Sequence, residues 1–193
     1  MTLVVLASNP TPSRTALYDA LAEEASREGR RFHVLYCAKT ERGVAPSSVS
    51  PIMRHAHTVL RGFHPSLTGL QAHFNPGVLA ELNLLKPDVL VIAGPWSTPT
   101  ILLAGLNIYS PPPRRFYWLD DGAGISVASP LLMAWVRRLA YRVYSGFIVM
   151  NVQTTESAKA QAGIVGQVIS LPDTTNSSAL AKAVLGQLYH ARP

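Results

Sequence analysis

Two adjacent carboxylates, Asp120 and Asp121, follow three aromatics in the run FYWLDDGAG, residues 116–124. A carboxylate in such a place can take a proton from a hydroxyl, bind the hydroxyls of a sugar, help hold a metal or close a turn. Side chains alternate along a strand, so the two point to opposite sides. The expectation is one Asp on a ligand hydroxyl and the other fixing the loop. Arg14 lies in SNPTPSRT, where a strand gives way to a helix. There it can hold an anion beside the helix N-terminus or be solvated. Trp96 and Ser97 follow an apolar run in GPWST. A flat ring and a hydroxyl suit a sugar ring or a lipid head, and they equally suit packing under a loop and helix capping. His73, in AHFNPG, stands just before a helix at the edge of the same region. It suits capping or packing.

Residues 42–80 contain no Asp or Glu, yet hold Arg42, Arg54, Arg61, His55, His57, His64 and His73. That stretch reads as a basic loop, either solvated or meeting a phosphate-bearing ligand or an anionic surface. His55-x-His57 with His64 has neither a Cys nor a carboxylate nearby, and no zinc spacing. No metal is expected. The loop after the first strand has no G-x-G-x-x-G, so an NAD or FAD domain is not expected, nor any other cofactor. Phe116, Tyr117 and Trp118 sit in a buried-looking strand, which argues against a nucleic-acid stacking platform.

Positioning these residues falls to an alternation of short apolar strands and helices. The spacing predicts strands at 3–7, 32–38, 89–93, 115–119, 147–150 and 165–171. It predicts helices at 13–28, capped by Ser13 and ended by Gly29, and at 76–85, capped by Asn75. Further helices are expected at 99–106, 130–144, 154–161 and 178–188. The stretch 39–71, rich in Pro and Gly, reads as irregular. In 131–144, a period near 100° puts Leu132, Met133, Val136, Leu139, Ala140 and Val143 on one face. Arg137, Arg138 and Arg142 lie opposite. Such a helix either packs on a core or rests on a membrane surface. The pattern is a single α/β domain, Rossmann-like and doubly wound, with a mostly parallel sheet. Ligands in such sheets lie beyond the strands' carboxyl ends, which places 8–14, 94–98 and 120–124 at one edge.

The chain has 193 residues, 48% apolar and 15% charged, with a formal charge of +6. It is long enough for one domain with a core, and too apolar for disorder. The charge favours anionic partners. One cysteine, Cys37, fits a reducing compartment. With no signal peptide and no membrane span in view, a cytoplasmic protein is expected, soluble or peripheral on the inner face of the cytoplasmic membrane.

Four segments, NPTPSRTALYDALAEE, FHVLYCAKTERG, HFNPGVLAELNLLKPDVLVIAGPWSTPT and RFYWLDDGAG, carry a resemblance. In that order and spacing they resemble the N-terminal half of family-4-type GT-B glycosyltransferases, bacterial enzymes of polysaccharide and glycolipid assembly. The likeness covers about 3–176, so it implies a domain at 1–176 and a C-terminal helix and linker region at 177–193. It implies an acceptor-binding role, with a saccharide or lipid-linked acceptor and a nucleotide-sugar donor as cosubstrate. By position, Pro12, Ser13 and Arg14 would form the first acceptor loop, His73 would stand near the acceptor entrance, and Trp96 and Ser97 would line the cleft floor. Asp120 and Asp121 replace a residue that is often Glu in relatives; they would serve as base in an inverting enzyme, or bind acceptor hydroxyls in a retaining one. Relatives carry a Glu-x7-Glu donor signature in a second domain. No such pair occurs here, so a C-terminal donor-binding domain or subunit is expected as partner and the isolated chain is expected to be inactive. The alternative is a non-catalytic subunit docking on an anionic membrane through Arg54, Arg61, Arg137, Arg138 and Arg142.

Overall fold

The computed structural model describes residues 1–39, 52–67, 70–95, 98–105, 113–119, 139–149, 167–171 and 176–190. Its centre is a parallel sheet. Strand β1 (Thr2–Ala7) leads through the loop 8–11 into helix α1 (Pro12–Arg27), and β2 (Arg31–Tyr36) follows. Gly29 closes α1 with φ +66, as expected of a helix-ending glycine. Strand β3 (His57–Val59) comes next, then the short β4 (Ser66–Leu67) and β5 (Leu70–Gln71). Helix α2 (Val78–Leu85) precedes β6 (Val89–Ala93), and α3 (Pro99–Gly105) precedes β7 (Arg114–Leu119). Strands β8 (Gly146–Val149) and β9 (Gln167–Ser170) and helix α4 (Ser177–His190) complete the described elements.

Seven strands lie in the order β3-β2-β1-β6-β7-β8-β9, every pair parallel. The sequence climbs to the left from β1 to β3, then returns to the right from β6. This is the open Rossmann-like order, and its switch point lies between β1 and β6. In register, Leu3 faces both Phe32 and Val89, and Ala7 faces both Tyr36 and Ala93.

Strand alternation divides the core in two. Leu3, Val5 and Ala7 face α1 and α4, where Leu17, Tyr18, Leu21, Leu180, Val184 and Leu188 are buried. Val4 and Leu6 face the opposite layer, with Val78 and Leu82 of α2 and Ile101 of α3. Each such buried side chain contributes about 1.5–3 kcal/mol of transfer free energy. The second layer continues into an aromatic cluster of Tyr117, Tyr141, Tyr144 and Phe147, with ring centroids 5.2–6.4 Å apart. Arg115 is buried beside it and donates to the Gly105 carbonyl at 2.6 Å. The negative end of α3 thus faces the guanidinium.

Four local expectations change. Region 52–71 contains β3, paired with β2, where Pro and Gly content had suggested no regular structure. Helix α1 starts at Pro12 with Thr11 before it, and no side chain caps it, so Ser13 is inside the first turn. Helix α2 begins at Val78 after Gly77, and Asn75 spends its side chain elsewhere. Leu139, placed on the apolar face of a long helix, is 50% exposed, whereas Tyr141 is 2% exposed. The end of that helix is therefore rotated so that tyrosines enter the core. Its earlier part and the predicted helix at 154–161 fall outside the described residues.

Candidate functional site

The switch point gathers chemistry at the carboxyl ends of β1 and β6. Gly94 is closely packed by two side chains. A Cβ there would lie 2.7 Å from Ser8 Oγ and 2.8 Å from Ile101 Cδ1. A larger residue there would have to displace these two side chains. Tyr117 Oη donates to the Gly94 carbonyl at 2.6 Å and fixes its direction. The Ser8 hydroxyl is buried and has no hydrogen-bond partner among the described residues. Arg14, one turn into α1, reaches across and donates from Nη1 to the Ala93 carbonyl at 3.1 Å. Its charge also acts on Tyr18, whose hydroxyl burial pushes up while Arg14 partly offsets the rise. The crevice therefore holds a fixed cation beside a helix N-terminus, a combination suited to an anionic or hydroxyl-rich ligand.

A buried hub braces this edge. Asn75 Nδ2 donates to the Cys37 carbonyl at 2.9 Å and to the Leu60 carbonyl at 3.3 Å. Its backbone N–H donates to Thr100 Oγ1 at 2.8 Å. The single Thr100 hydroxyl proton is shared between His73 O at 2.8 Å and Asn75 Oδ1 at 2.9 Å. The exits of β2 and β3 and the first turn of α3 are thereby joined. Gly62 belongs to the same hub, because a Cβ there would overlap the Asn75 amide.

His73 lies beneath the hub. Its Nδ1 is 3.0 Å from Nδ1 of His64. One ring must donate while the other accepts, so the contact accommodates one proton but not two. Burial lowers the His73 pKa, and the neighbouring His64 lowers it further. His55 has a different setting. Its Nδ1 is 2.6 Å from Asp19 Oδ1 and its Nε2 is 3.0 Å from the Tyr36 hydroxyl. Burial lowers the His55 pKa against the pull of Asp19. Burial pulls the Asp19 carboxyl up, but bonds from His55 and the Arg54 and His55 amides outweigh it and hold it below its ordinary value. Burial raises the Tyr36 hydroxyl. These directions agree on one arrangement: an Asp19 carboxylate accepting from neutral His55, which accepts from Tyr36.

The expected site residues are thus distributed as follows. Pro12 and Ser13 are exposed at the start of α1, and Arg14 reaches the crevice. His73 is buried at the hub, joined to it through its carbonyl. Arg54 pairs with Asp19 at 3.4 Å, while Arg61 and Arg142 are exposed. Trp96, Ser97, Asp120, Asp121, Arg137 and Arg138 lie outside the described residues. Among the described residues no group of three or more His, Cys, Asp or Glu is placed to hold a metal ion, and no helix is long and apolar enough to cross a membrane. Sequence reasoning missed Ser8, Thr100 and the His64 partnership. A glycine directly after an apolar strand was the available signal for the close approach at Gly94.

No protein-family model matches the chain, and no curated protein matches it in sequence. Among solved structures it is similar to a chain of sucrose-phosphate synthase from Thermosynechococcus elongatus. The TM-score is 0.53 at 15% identity, over 98% of this chain and 97% of that one. At this identity the likeness concerns the fold, and it agrees with the strand order: the chain is an open, parallel, Rossmann-like α/β domain.

Proposed function

We propose that this chain is the acceptor-binding half of a glycosyltransferase, with the saccharide or lipid-linked acceptor lodged at the β1/β6 crevice. The donor would be a nucleotide sugar held mainly by a second domain or subunit. The observation that carries the reading is the crevice itself. It offers a cation held on the Ala93 carbonyl, a Ser8 hydroxyl without a partner among the described residues and a closely packed Gly94, on a fold that a sucrose-phosphate synthase chain shares along nearly its whole length. The neighbour's name is that of an enzyme that makes a sugar phosphate, which supports a sugar-related reading of this fold.

Within that reading, this half positions the nucleophile. Glycosyl transfer needs an acceptor oxygen aligned with the anomeric carbon, and alignment alone accounts for a large share of rate. Arg14 and the Ser8 hydroxyl would orient acceptor hydroxyls or a phosphate, and the hub would keep the loops that carry them in register. Asp120 or Asp121 would touch the acceptor hydroxyl.

Calorimetric titration with oligosaccharides, nucleotide sugars and dinucleotides tests the reading. Saccharide binding that weakens at least tenfold in Arg14→Ala is expected. Tight dinucleotide binding with no response to saccharides would contradict it.

A further inference from the structure

An antiparallel bridge brings two imidazoles together. Phe63 and Phe74 exchange backbone N–H···O bonds, both 2.9 Å. Their inner neighbours, His64 and His73, are therefore the next pair along, the kind without hydrogen bonds of its own, in which opposed side chains stand closest. Ala72 N donates to Pro65 O at 3.0 Å and closes the ladder beyond them. His73 is held from behind as well, since its carbonyl accepts from Thr100 N at 3.1 Å and from Thr100 Oγ1 at 2.8 Å. The two ring centroids are 5.1 Å apart, the planes are inclined at 66°, and the Nδ1 atoms are 3.0 Å apart. His73 is buried, while His64 is half-buried and opens the pair to solvent. Other described histidines spend their nitrogens differently. His55 has a partner on each ring nitrogen. His57 donates from Nδ1 to the His55 carbonyl at 3.1 Å, and His33 Nε2 meets Thr58 Oγ1 at 2.9 Å. Among the described residues, only His64 and His73 turn a ring nitrogen each toward one point.

We propose that His64 and His73 form a two-imidazole site for a divalent transition-metal ion of the zinc, copper or nickel class. Imidazole nitrogen is a ligand these ions favour. Two nitrogens bound at ~2.0–2.1 Å on a tetrahedral ion are ~3.3–3.4 Å apart. The Nδ1 atoms already stand within roughly 0.4 Å of that span, so a small opening of the pair admits the ion. No ring need lose its proton to solvent. The ring that donates from Nδ1 shifts that proton to its own Nε2, and both Nδ1 atoms then present lone pairs. Burial favours the neutral form of His73, which is the form that ligates. No third His, Cys, Asp or Glu joins the pair among the described residues. A bound ion would tie the segment after β3 to the hub of Asn75 and Thr100, through the His73 carbonyl that Thr100 holds. The site is independent of the acceptor reading, and its test contains no sugar.

The test is calorimetric titration of the whole chain, free of any affinity tag, with zinc chloride at about pH 7.5, where the imidazoles are neutral. Uptake of one ion per chain is expected. His64→Gln should weaken it roughly tenfold or more, since loss of even an outer-shell partner costs that much. His64 is half-buried, so circular dichroism should show this variant folded. His57→Gln, whose ring lies outside the pair, should bind zinc as the wild type does. A second readout needs no variant: copper(II) bound to the wild type should show coupling to two imidazole nitrogens in electron paramagnetic resonance. Cys37 does not compete as a ligand, because it is buried and burial pushes its thiol up to about 12. No zinc uptake by the wild type, equal uptake by His64→Gln, loss of uptake in His57→Gln, or a copper spectrum without two coupled nitrogens would overturn the proposal.

Discussion

The two histidines buried among the described residues, His55 and His73, are built for opposite purposes. His55 is held on both ring nitrogens, by a carboxylate on one side and a tyrosine hydroxyl on the other. Asp19 also accepts from the Arg54 and His55 amides, so α1 is sewn to the segment entering the edge strand β3. Asp19, His55 and Tyr36 satisfy one another, although the buried Thr15 hydroxyl beside Tyr36 has no partner among the described residues. His73 touches another imidazole, half-exposed His64, through a contact that tolerates a single proton. It lies at the carboxyl edge, beside a crevice where Ser8 keeps an unused hydroxyl among the described residues. A closed network marks a structural joint, whereas incomplete satisfaction beside a switch point marks a place built to receive something.

The largest effect expected is at the closed joint. Asp19→Ala leaves the His55 ring N–H and two backbone amides without their acceptor. It should cost ~2–4 kcal/mol in urea unfolding, with little change in any ligand binding. Gly94→Ala strikes the open end. Its Cβ would press on Ser8 Oγ and Ile101 Cδ1, so those two side chains must move aside, at up to about 1–3 kcal/mol. Unlike Asp19→Ala, it should also abolish saccharide binding.

The pH dependence separates the histidines more finely. Both have folded pKa values below the ordinary 6.5, mainly through burial. The unfolded chain then binds protons that the folded one refuses. Their stabilising share is full above about pH 6.5 and is lost as pH falls towards the folded values, at no more than about 1.4 kcal/mol per pH unit for each. Stability measured from neutral pH to roughly pH 5 should fall, and His73→Gln should flatten that fall by one histidine's share. The smallest effect is expected of Arg54→Ala. Its side chain is 83% exposed and its backbone bond to Asp19 survives, so the loss should stay under about 0.5 kcal/mol.

Most of the sheet was legible in the sequence because its strands are apolar on both faces and bounded by breakers. Val89–Ala93 was read to the residue, and β1, β2, β7, β8 and β9 to within about two. Strand β3 was not legible. It is three residues long, contains His57, and owes its regularity to pairing with β2 rather than to local pattern. The short strands β4 and β5 hid for a related reason: they are two residues each, and the flanking Pro65 and histidines resemble loop composition. Asn75 was read as a cap from its place before Pro76. Only the fold reveals that the Cys37 and Leu60 carbonyls stand within its reach. At the crevice, the sequence pointed to Arg14 by its position after β1, while Ser8 became visible only through its neighbour Gly94.

Amide chemical-shift mapping during saccharide titration tests the central claim most directly. The account predicts that shifts cluster at Ser8, Arg14, Gly94 and His73 and leave Asp19, Tyr36 and His55 unmoved. Shifts centred on the Asp19–His55–Tyr36 network, or none at the β1/β6 crevice at saturating saccharide, would contradict it.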